Sequence, residues 1–388
     1  MRSKNARERS VLDQLAPRAG DDPSALVLDD GSRVAVVGGG PAGSFFAYFL
    51  LKMSEMAGLA IDVDIYEPRE FTHFGPGGCN HCGGIISESL VQLLAAEGIV
   101  LPPTVVRRGI ASYVLHMDVG TVRIETPVHE KRIAAVFRGN GPRGSVGVEF
   151  ESFDRFLLEL TRSRGAKVVR RLVRGLEWND GRPTPVHPDG RGPAYDLVAI
   201  ASGVNSRLLQ QIDAPGAAYR RPTTMPTYIC EFRFDEEIVR TCFGPSMHVF
   251  LLDMPRLEFA ALIPKGDVVT MCLLGDDIDD ALVHAFLNTP EVRACFPGGS
   301  PPDVAACTCS PNINVRPNGP PYGDRFVVVG DGGVTRLYKD GIGAAYRTAK
   351  AAPSAAVFGG ISESAIRERF GPVTYTQLTL PTMRLRCR

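Results

Sequence analysis

VAVVGGGPAGSFFAYFL, Val34 to Leu50, begins as a β-branched apolar run, breaks at three consecutive glycines and a proline, and continues with helical character. The surrounding pattern predicts a strand over residues 33–37, a helix over 44–57 and a second strand over 61–66. That is one βαβ unit with its glycines at the first turn, and such a unit predicts a parallel sheet.

Gly38, Gly40 and Gly43 fit the spacing GxGxxG, and Glu67 closes the next strand 24 positions after Gly43. With 41 glycines in the chain the bare triplet means little, so the strand before it, the helix after it and the acid beyond carry the assignment. Gly38 permits the tight turn, Gly40 lets the backbone approach a diphosphate, and Gly43 lets helix and strand pack closely. The helix start offers unpaired amides and the positive end of a dipole to phosphate. Glu67 is placed to accept hydrogen bonds from the adenosine ribose, which argues against a 2′-phosphate. A second segment, DRFVVVGDGG at Asp324–Gly333, ends a buried strand at Gly330 and Asp331, within reach of a flavin ribityl chain. KDGIGAAYRTA follows, with Gly341 and Gly343 at a helix start whose amides suit the N1 and O2 edge of a flavin. A nicotinamide domain has no need of this second turn, so the expected cofactor is FAD.

The whole chain is compatible with that reading. It has 388 residues, 44% hydrophobic and 22% charged, with Lys+Arg and Asp+Glu equal at 43 each. This is a globular composition without the basic excess that holds a nucleic-acid backbone. Residues 1–30 form a polar leader lacking the apolar centre of a secretory signal. Lys52 interrupts the longest apolar stretch, so no spanning helix is expected. Nine cysteines, an odd number, argue against a secreted disulfide framework and for a cytoplasmic protein.

The expected architecture is α/β: a three-layer, Rossmann-like FAD-binding domain with a parallel sheet, plus an antiparallel catalytic domain. The first is discontinuous, 31–221 and 310–360, with 100–150 contributing in part to the catalytic sheet. Strands at 167–172 and 197–201 return to the parallel sheet, and helices are expected at 87–97 and 153–165. The runs TYICEFRFD, HVFLLDM, EFAALIP and VVTMCLLG place the antiparallel substrate domain at 222–309. Residues 361–388 read as a tail, truncated or irregular.

Taken together, VAVVGGGPAG, CGGIIS at Cys82–Ser87, YDLVAIASGVNSRL at Tyr195–Leu208, FAALIPKGDVVTMCLLG, and VVVGDGG through DGIG resemble the FAD-dependent geranylgeranyl reductase family. That family is a branch of the p-hydroxybenzoate-hydroxylase-like flavoproteins, and the likeness runs from about Arg33 to Phe358. It implies cofactor contacts at Gly38, Gly40, Pro41, Ala42, Gly43, Glu67, Pro68, Arg69, Gly83, Gly84, Val173, Gly203, Gly330, Asp331, Gly341, Ile342 and Gly343. It also implies catalytic roles around Cys82, Tyr338 and Lys339, and a lipid-linked isoprenoid substrate reached by peripheral contact with a membrane. NAD(P)H or a ferredoxin would be the electron donor. The chain departs from the family pattern at Ser202-Gly203, where an Asp-Gly is usual, and at Phe150-Glu151-Ser152, where an arginine commonly precedes the Phe-Asp pair. It also lacks the proline usual after the Gly-Asp pair, which leaves Tyr338 and Lys339 in VTRLYKDG.

Cys79 and Cys82 form CxxC around His81, and Cys307 and Cys309 form CxC. The four thiolates could converge on zinc or an iron–sulfur cluster, or Cys82 could simply line the flavin pocket while the others are small core residues. An exchange of electrons between a Cys79/Cys82 pair and the flavin is a third reading. His116, His129 and His248 read either as proton donors or as satisfied core histidines, and Trp178 as packing. The function expected is reduction of a polyprenyl carbon–carbon double bond, with apolar walls near residues 250–252 and 259–263. The alternatives are a flavoprotein monooxygenase and an electron-transfer protein carrying a cysteine-bound cluster.

Overall fold

A computed structural model describes residues 26–73, 82–127, 131–142, 151–213, 219–303, 305–335 and 341–379. The opening strand is Arg33–Val37, the glycine-loop helix Pro41–Ala57, and the next strand Asp62–Tyr66. The helix starts three residues earlier than periodicity predicts because Pro41 sits at its first turn, where no amide hydrogen is needed. Gly58 stops it in the left-handed conformation.

Six strands form the first sheet in the order Tyr322–Gly323, Phe326–Val328, Leu197–Ile200, Arg33–Val37, Asp62–Tyr66, Lys167–Val169. All neighbours run parallel except the first pair. Val34 and Val36 point to one face with Phe45, Phe46 and Phe49, and Ala35 and Val37 to the other. Each of those fully buried phenylalanines contributes roughly 1.5–3 kcal/mol by leaving water. The helix Gly341–Phe358 lies against the glycine-loop helix, and Tyr346 meets Phe45 and Phe49 edge-on with 5.5 Å between ring centroids in both pairs. The opposite face of the sheet carries the short helix Arg207–Ile212 and a three-stranded antiparallel sheet over 175–191, so its third layer is largely β.

The second large sheet contains Thr223–Arg233, Ser246–Leu251, Leu257–Lys265 and Val268–Gly275, as the alternating runs predict. It is widened on one side by Ser112–Met117 and Gly120–Glu125, and on the other by Cys307–Cys309 and Asn312–Arg316. Ser246–Leu251 pairs with Ser112–Met117 in parallel, the only such pair described in this sheet. A small sheet, Ile85–Ile86, Ile133–Val136 and Val106–Ile110, packs between the two large ones.

Two expectations need correction. Glu363–Thr379 is a helix packed on Gly341–Phe358, not an irregular tail. Ile366, Phe370 and Thr374 recur every four residues and are buried, while Ile361 caps the same seam against Leu26. Phe250 and Leu252 do not face the parallel sheet: they pack with Phe286 and Phe243 beneath the helices on the back of the antiparallel sheet. Phe259, Ala261 and Ile263 do face forward, because alternation sends neighbouring residues to opposite sides.

A Cβ on Gly43 would stand 1.8 Å from the carbonyl oxygen of Gly38, whereas one on Gly58 would meet nothing within 4 Å. Gly43→Ala is therefore expected to cost about 3 kcal/mol or more by forcing backbone apart, and Gly58→Ala about 1–2 kcal/mol for its left-handed backbone alone. Urea unfolding of the two variants measures this; equal losses would contradict the packing described.

Candidate functional site

The glycine loop is closed by its own neighbours. Gly38 takes φ +109° and approaches the carbonyl of Ala201 at the end of the adjacent strand. Gly39 donates its amide to Glu67 Oε2 at 2.9 Å, and Glu67 Oε1 accepts from the amide and Nε of Arg69 at 3.0 and 3.1 Å. Glu67 is buried, so the acid predicted to meet a ribose also holds the loop in shape. Each carboxylate oxygen can accept about two bonds, which leaves Oε2 with capacity for a ligand hydroxyl.

Gly330, with φ +75°, lies directly over this helix start: a Cβ there would stand 2.8 Å from Ala42 Cβ. The two glycine turns, nearly 300 residues apart in the chain, are thus adjacent. Gly330 N donates to Thr348 Oγ1 at 2.9 Å, Tyr219 OH donates to the Gly332 carbonyl at 2.6 Å, and Asn314 Nδ2 donates to the Asp331 carbonyl at 2.9 Å. Asp331 Oδ1 accepts from Val204 N at 3.2 Å and sits 3.7 Å from the Cβ position of Gly203. Gly341 opens its helix with nothing within 4 Å of its Cβ position, and Ile342 and Gly343 are buried behind it.

Arg138 is the candidate site residue that the sequence reading missed. Its Nε and Nη2 donate to both oxygens of Asp154 at 3.0 and 2.8 Å, a bidentate pair. Asp154 is fully buried, whereas the arginine side chain is 23% exposed and borders Gly40, whose Cβ would stand 3.2 Å from Nη2. Burial works against the guanidinium charge, but the Asp154 carboxylate outweighs it and holds the pKa above the ordinary arginine value. Cys82 and Asp331 add to that pull, so one cation serves three groups. Burial also pushes the Asp331 carboxyl upward, opposed by Arg138 and the Val204 amide. No arginine stands just before Phe153-Asp154; the guanidinium that pairs with Asp154 comes from a residue two places beyond the strand Ile133–Val136. A lone arginine just after a buried strand was the available signal.

Cys82, Gly83 and Gly84 link this site to the antiparallel sheet. Cys82 Sγ accepts from Gly84 N at 3.3 Å. The Cβ position of Gly83 is 3.2 Å from both Cys272 Sγ and Ile263 Cδ1, and that of Gly84 is 3.0 Å from Lys265 Nζ. Lys265 and Glu231 are buried in the same wall; Lys265 Nζ and Glu231 Oε2 have no hydrogen-bond partner, and the ammonium lies 4.9 Å from the Phe137 ring centroid. Burial raises the Glu231 carboxyl pKa, with the Lys265 charge and Thr270 opposing.

Val173 lies apart, in the core on the opposite face of the parallel sheet with Tyr66 and Tyr195. Cys79, His81, His129, Tyr338 and Lys339 fall outside the described residues. Cys82, Cys307 and Cys309 do not gather: Cys307 and Cys309 pair in register with Glu231 and Ile229, and the three sulfurs form no cluster of metal-ligand dimensions. Among the described residues the one group that does is His116, His248 and Cys295. Trp178 is half exposed on the small hairpin sheet and stacks edge-on with Phe326, a packing role.

The site fits a dinucleotide. The glycine-loop helix begins at Gly40 without a side-chain cap, so its first amides are left for an anion. Ser202 Oγ, next to the loop, is buried without a hydrogen-bond partner, and the partly exposed Arg138 faces Gly40.

No protein-family model and no curated protein matches the chain. Solved structures do. A geranylgeranyl bacteriochlorophyll reductase-like protein from Thermoplasma acidophilum matches with a TM-score of 0.68 and 15% identity, over 90% of this chain and 85% of its own. The p-nitrophenol 4-monooxygenase of Pseudomonas putida DLL-E4 gives 0.62 and 16%, over 91% and 87% of the two chains. CtdE, solved in complex with FAD and a substrate, gives 0.63 and 14%, over 89% and 87%. The chain has the α/β fold of these flavoproteins, and among them stands a representative of the family its motifs resemble.

Proposed function

We propose that this protein is an FAD-dependent oxidoreductase that reduces a carbon–carbon double bond of an apolar isoprenoid. The observation that carries the cofactor is the apposition of Gly330 to Ala42 with Arg138 beside them, since one extended nucleotide can touch both turns. When bound, FAD supplies the redox chemistry, delivering hydride from its reduced ring to one alkene carbon. The chain supplies the rest. The amides of the glycine-loop helix and Arg138 take up the negative charge of the diphosphate, and Glu67 the ribose. Ile263 borders Gly83, and behind it Met247, Val249, Phe259 and Ala261 pack with Ile110 and Ile133 of the small sheet into an apolar wall on that side of the antiparallel sheet. Such a wall aligns an alkene and keeps water away.

Cys82, whose sulfur accepts from the Gly84 amide, in this reading gives a proton to the second alkene carbon. NAD(P)H or a ferredoxin provides electrons, and a lipid-linked substrate would bring the enzyme to a membrane surface. No described helix is long and apolar enough to cross one. The second reading is a flavoprotein monooxygenase, supported by the p-nitrophenol monooxygenase with the same fold and by the polar Glu231–Lys265 pair, which suits a substrate bearing oxygen. An electron-transfer protein with a cysteine-bound cluster has less support, because Cys82, Cys307 and Cys309 stand apart.

Anaerobic reduction of the flavin-loaded protein, followed by addition of polyprenyl lipids, separates the first two readings. The expected result is flavin reoxidation with formation of saturated product, slowed about 10²–10⁴-fold in Cys82→Ala while chemical reduction of the flavin is unchanged. Reoxidation only by oxygen with an aromatic substrate would transfer the assignment to the monooxygenase.

Arg138→Met is expected to weaken FAD binding about tenfold to a hundredfold by removing a charged hydrogen-bond donor. It should also cost stability, toward the lower end of about 3–5 kcal/mol, by taking the bidentate partner away from the buried Asp154. Flavin titration and urea unfolding read the two effects, and Arg138→Met with Asp154→Leu should recover the stability without the affinity. Unchanged flavin affinity in Arg138→Met would remove this residue from the cofactor site.

A further inference from the structure

We infer that the back of the antiparallel sheet holds a zinc site formed by His116 Nε2, His248 Nδ1 and Cys295 Sγ. The three residues come from the strand Ser112–Met117, the strand Ser246–Leu251 and the turn after the helix Pro290–Arg293. All are buried, at 7%, 8% and 5% exposure. They lie on the side of the sheet turned away from Gly83 and Ile263, under Phe243, Phe250 and Phe296, so they take no part in the chemistry proposed above.

Distances carry the argument. His116 Nε2 and His248 Nδ1 are 3.0 Å apart, and Cys295 Sγ is 3.8 Å from the first and 3.5 Å from the second. Tetrahedral zinc with ordinary bond lengths holds nitrogen ligands about 3.3 Å apart and nitrogen and sulfur about 3.6 Å apart. The triangle is therefore one face of a zinc tetrahedron to within a few tenths of an ångström, with only the two imidazoles needing to part slightly.

The outer contacts agree. His248 Nε2 faces the Phe243 carbonyl at 3.4 Å, so that nitrogen carries its proton and Nδ1 presents a lone pair to the cluster. His116 Nδ1 faces Thr121 Oγ1 at 3.2 Å, which can accept its proton and leave Nε2 unprotonated. Metal-ligating histidines are held in this way by their second nitrogen. Without metal, Cys295 Sγ donates to the Glu291 carbonyl at 3.4 Å. Zinc binding replaces that S–H by a Zn–S bond and releases one proton to solvent, with no change of oxidation state. A water completes the tetrahedron, since these three are the ligand groups that the described residues bring together. Two nitrogens and a sulfur favour zinc over magnesium or calcium. The ion would fasten the helical layer over 280–299 to the one parallel strand pair of this sheet.

The experiment is metal analysis of the full-length protein after equilibration with zinc and desalting, with cobalt as the optical probe. Wild type should hold stoichiometric zinc, and on cobalt substitution show tetrahedral d–d bands with thiolate-to-cobalt charge transfer. Cys295→Ser and His248→Gln should each bind zinc about tenfold more weakly or worse, with unchanged circular dichroism, while Cys242→Ser keeps the metal. Wild type that remains metal-poor after equilibration, or zinc retained by both ligand variants, would overturn the site. Should either variant fold poorly, the cobalt spectrum of wild type decides alone: absence of the charge-transfer band excludes Cys295 ligation.

Discussion

The contact between Gly43 and the Gly38 carbonyl is the constraint from which the rest of the site follows. A helix that must start within van der Waals range of the strand it follows can only leave the sheet at one angle, and that angle aims its first amides over the end of the sheet. Gly38 can turn so sharply only with φ positive, and its turn brings the loop against Ala201 and Ser202 at the end of the neighbouring strand. The late turn at Gly330 then has one place to go, because Phe326–Val328 pairs beside Leu197–Ile200 and ends at the same edge. Sequence-distant turns meet because parallel strands end together.

What that edge collects is negative charge, and Arg138 balances it. Asp154, fully buried, and Asp331 both sit within the field of one guanidinium. A buried carboxylate without such a partner would cost several kcal/mol, so the arginine position is tied to the helix that carries Asp154. Because the guanidinium is planar and bidentate toward Asp154 through Nε and Nη2, the Nη2 corner beside Gly40 and the helix start is fixed in direction. Lysine could supply the charge but not that orientation.

The parallel sheet was legible because its central strands are buried and read as unbroken apolar runs: VAVV after Arg33, Leu197–Ile200 and Phe326–Val328. The glycine turns were legible through spacing and context. Gly120–Glu125 was not, since every residue in it is exposed and it is held by pairing alone. The hairpin over 175–191 was hidden by Pro183 and Pro185, which signal loops in a linear reading but are accommodated in this small peripheral sheet. Glu363–Thr379 shows too sparse an apolar stripe, Ile366 and Phe370, and contains Pro372. Arg138 and the His116–His248–Cys295 triangle depend on pairings between residues up to 179 positions apart, which no local pattern encodes.

The antiparallel sheet does two unrelated things because its residues alternate. Val249 faces forward into the apolar wall, and His248 and Phe250 on either side of it face the helices behind. The parallel pairing sets Phe250 opposite His116 and His248 opposite Val114, which leaves the two imidazoles one step apart along the same face and within hydrogen-bond distance. A slip of one residue in that pairing would send one histidine forward among the apolar side chains and bring Val249 to the back. The register that builds the apolar cluster against the small sheet is therefore the same register that gathers the histidines and the thiol, so a contact that locks one face also locks the other.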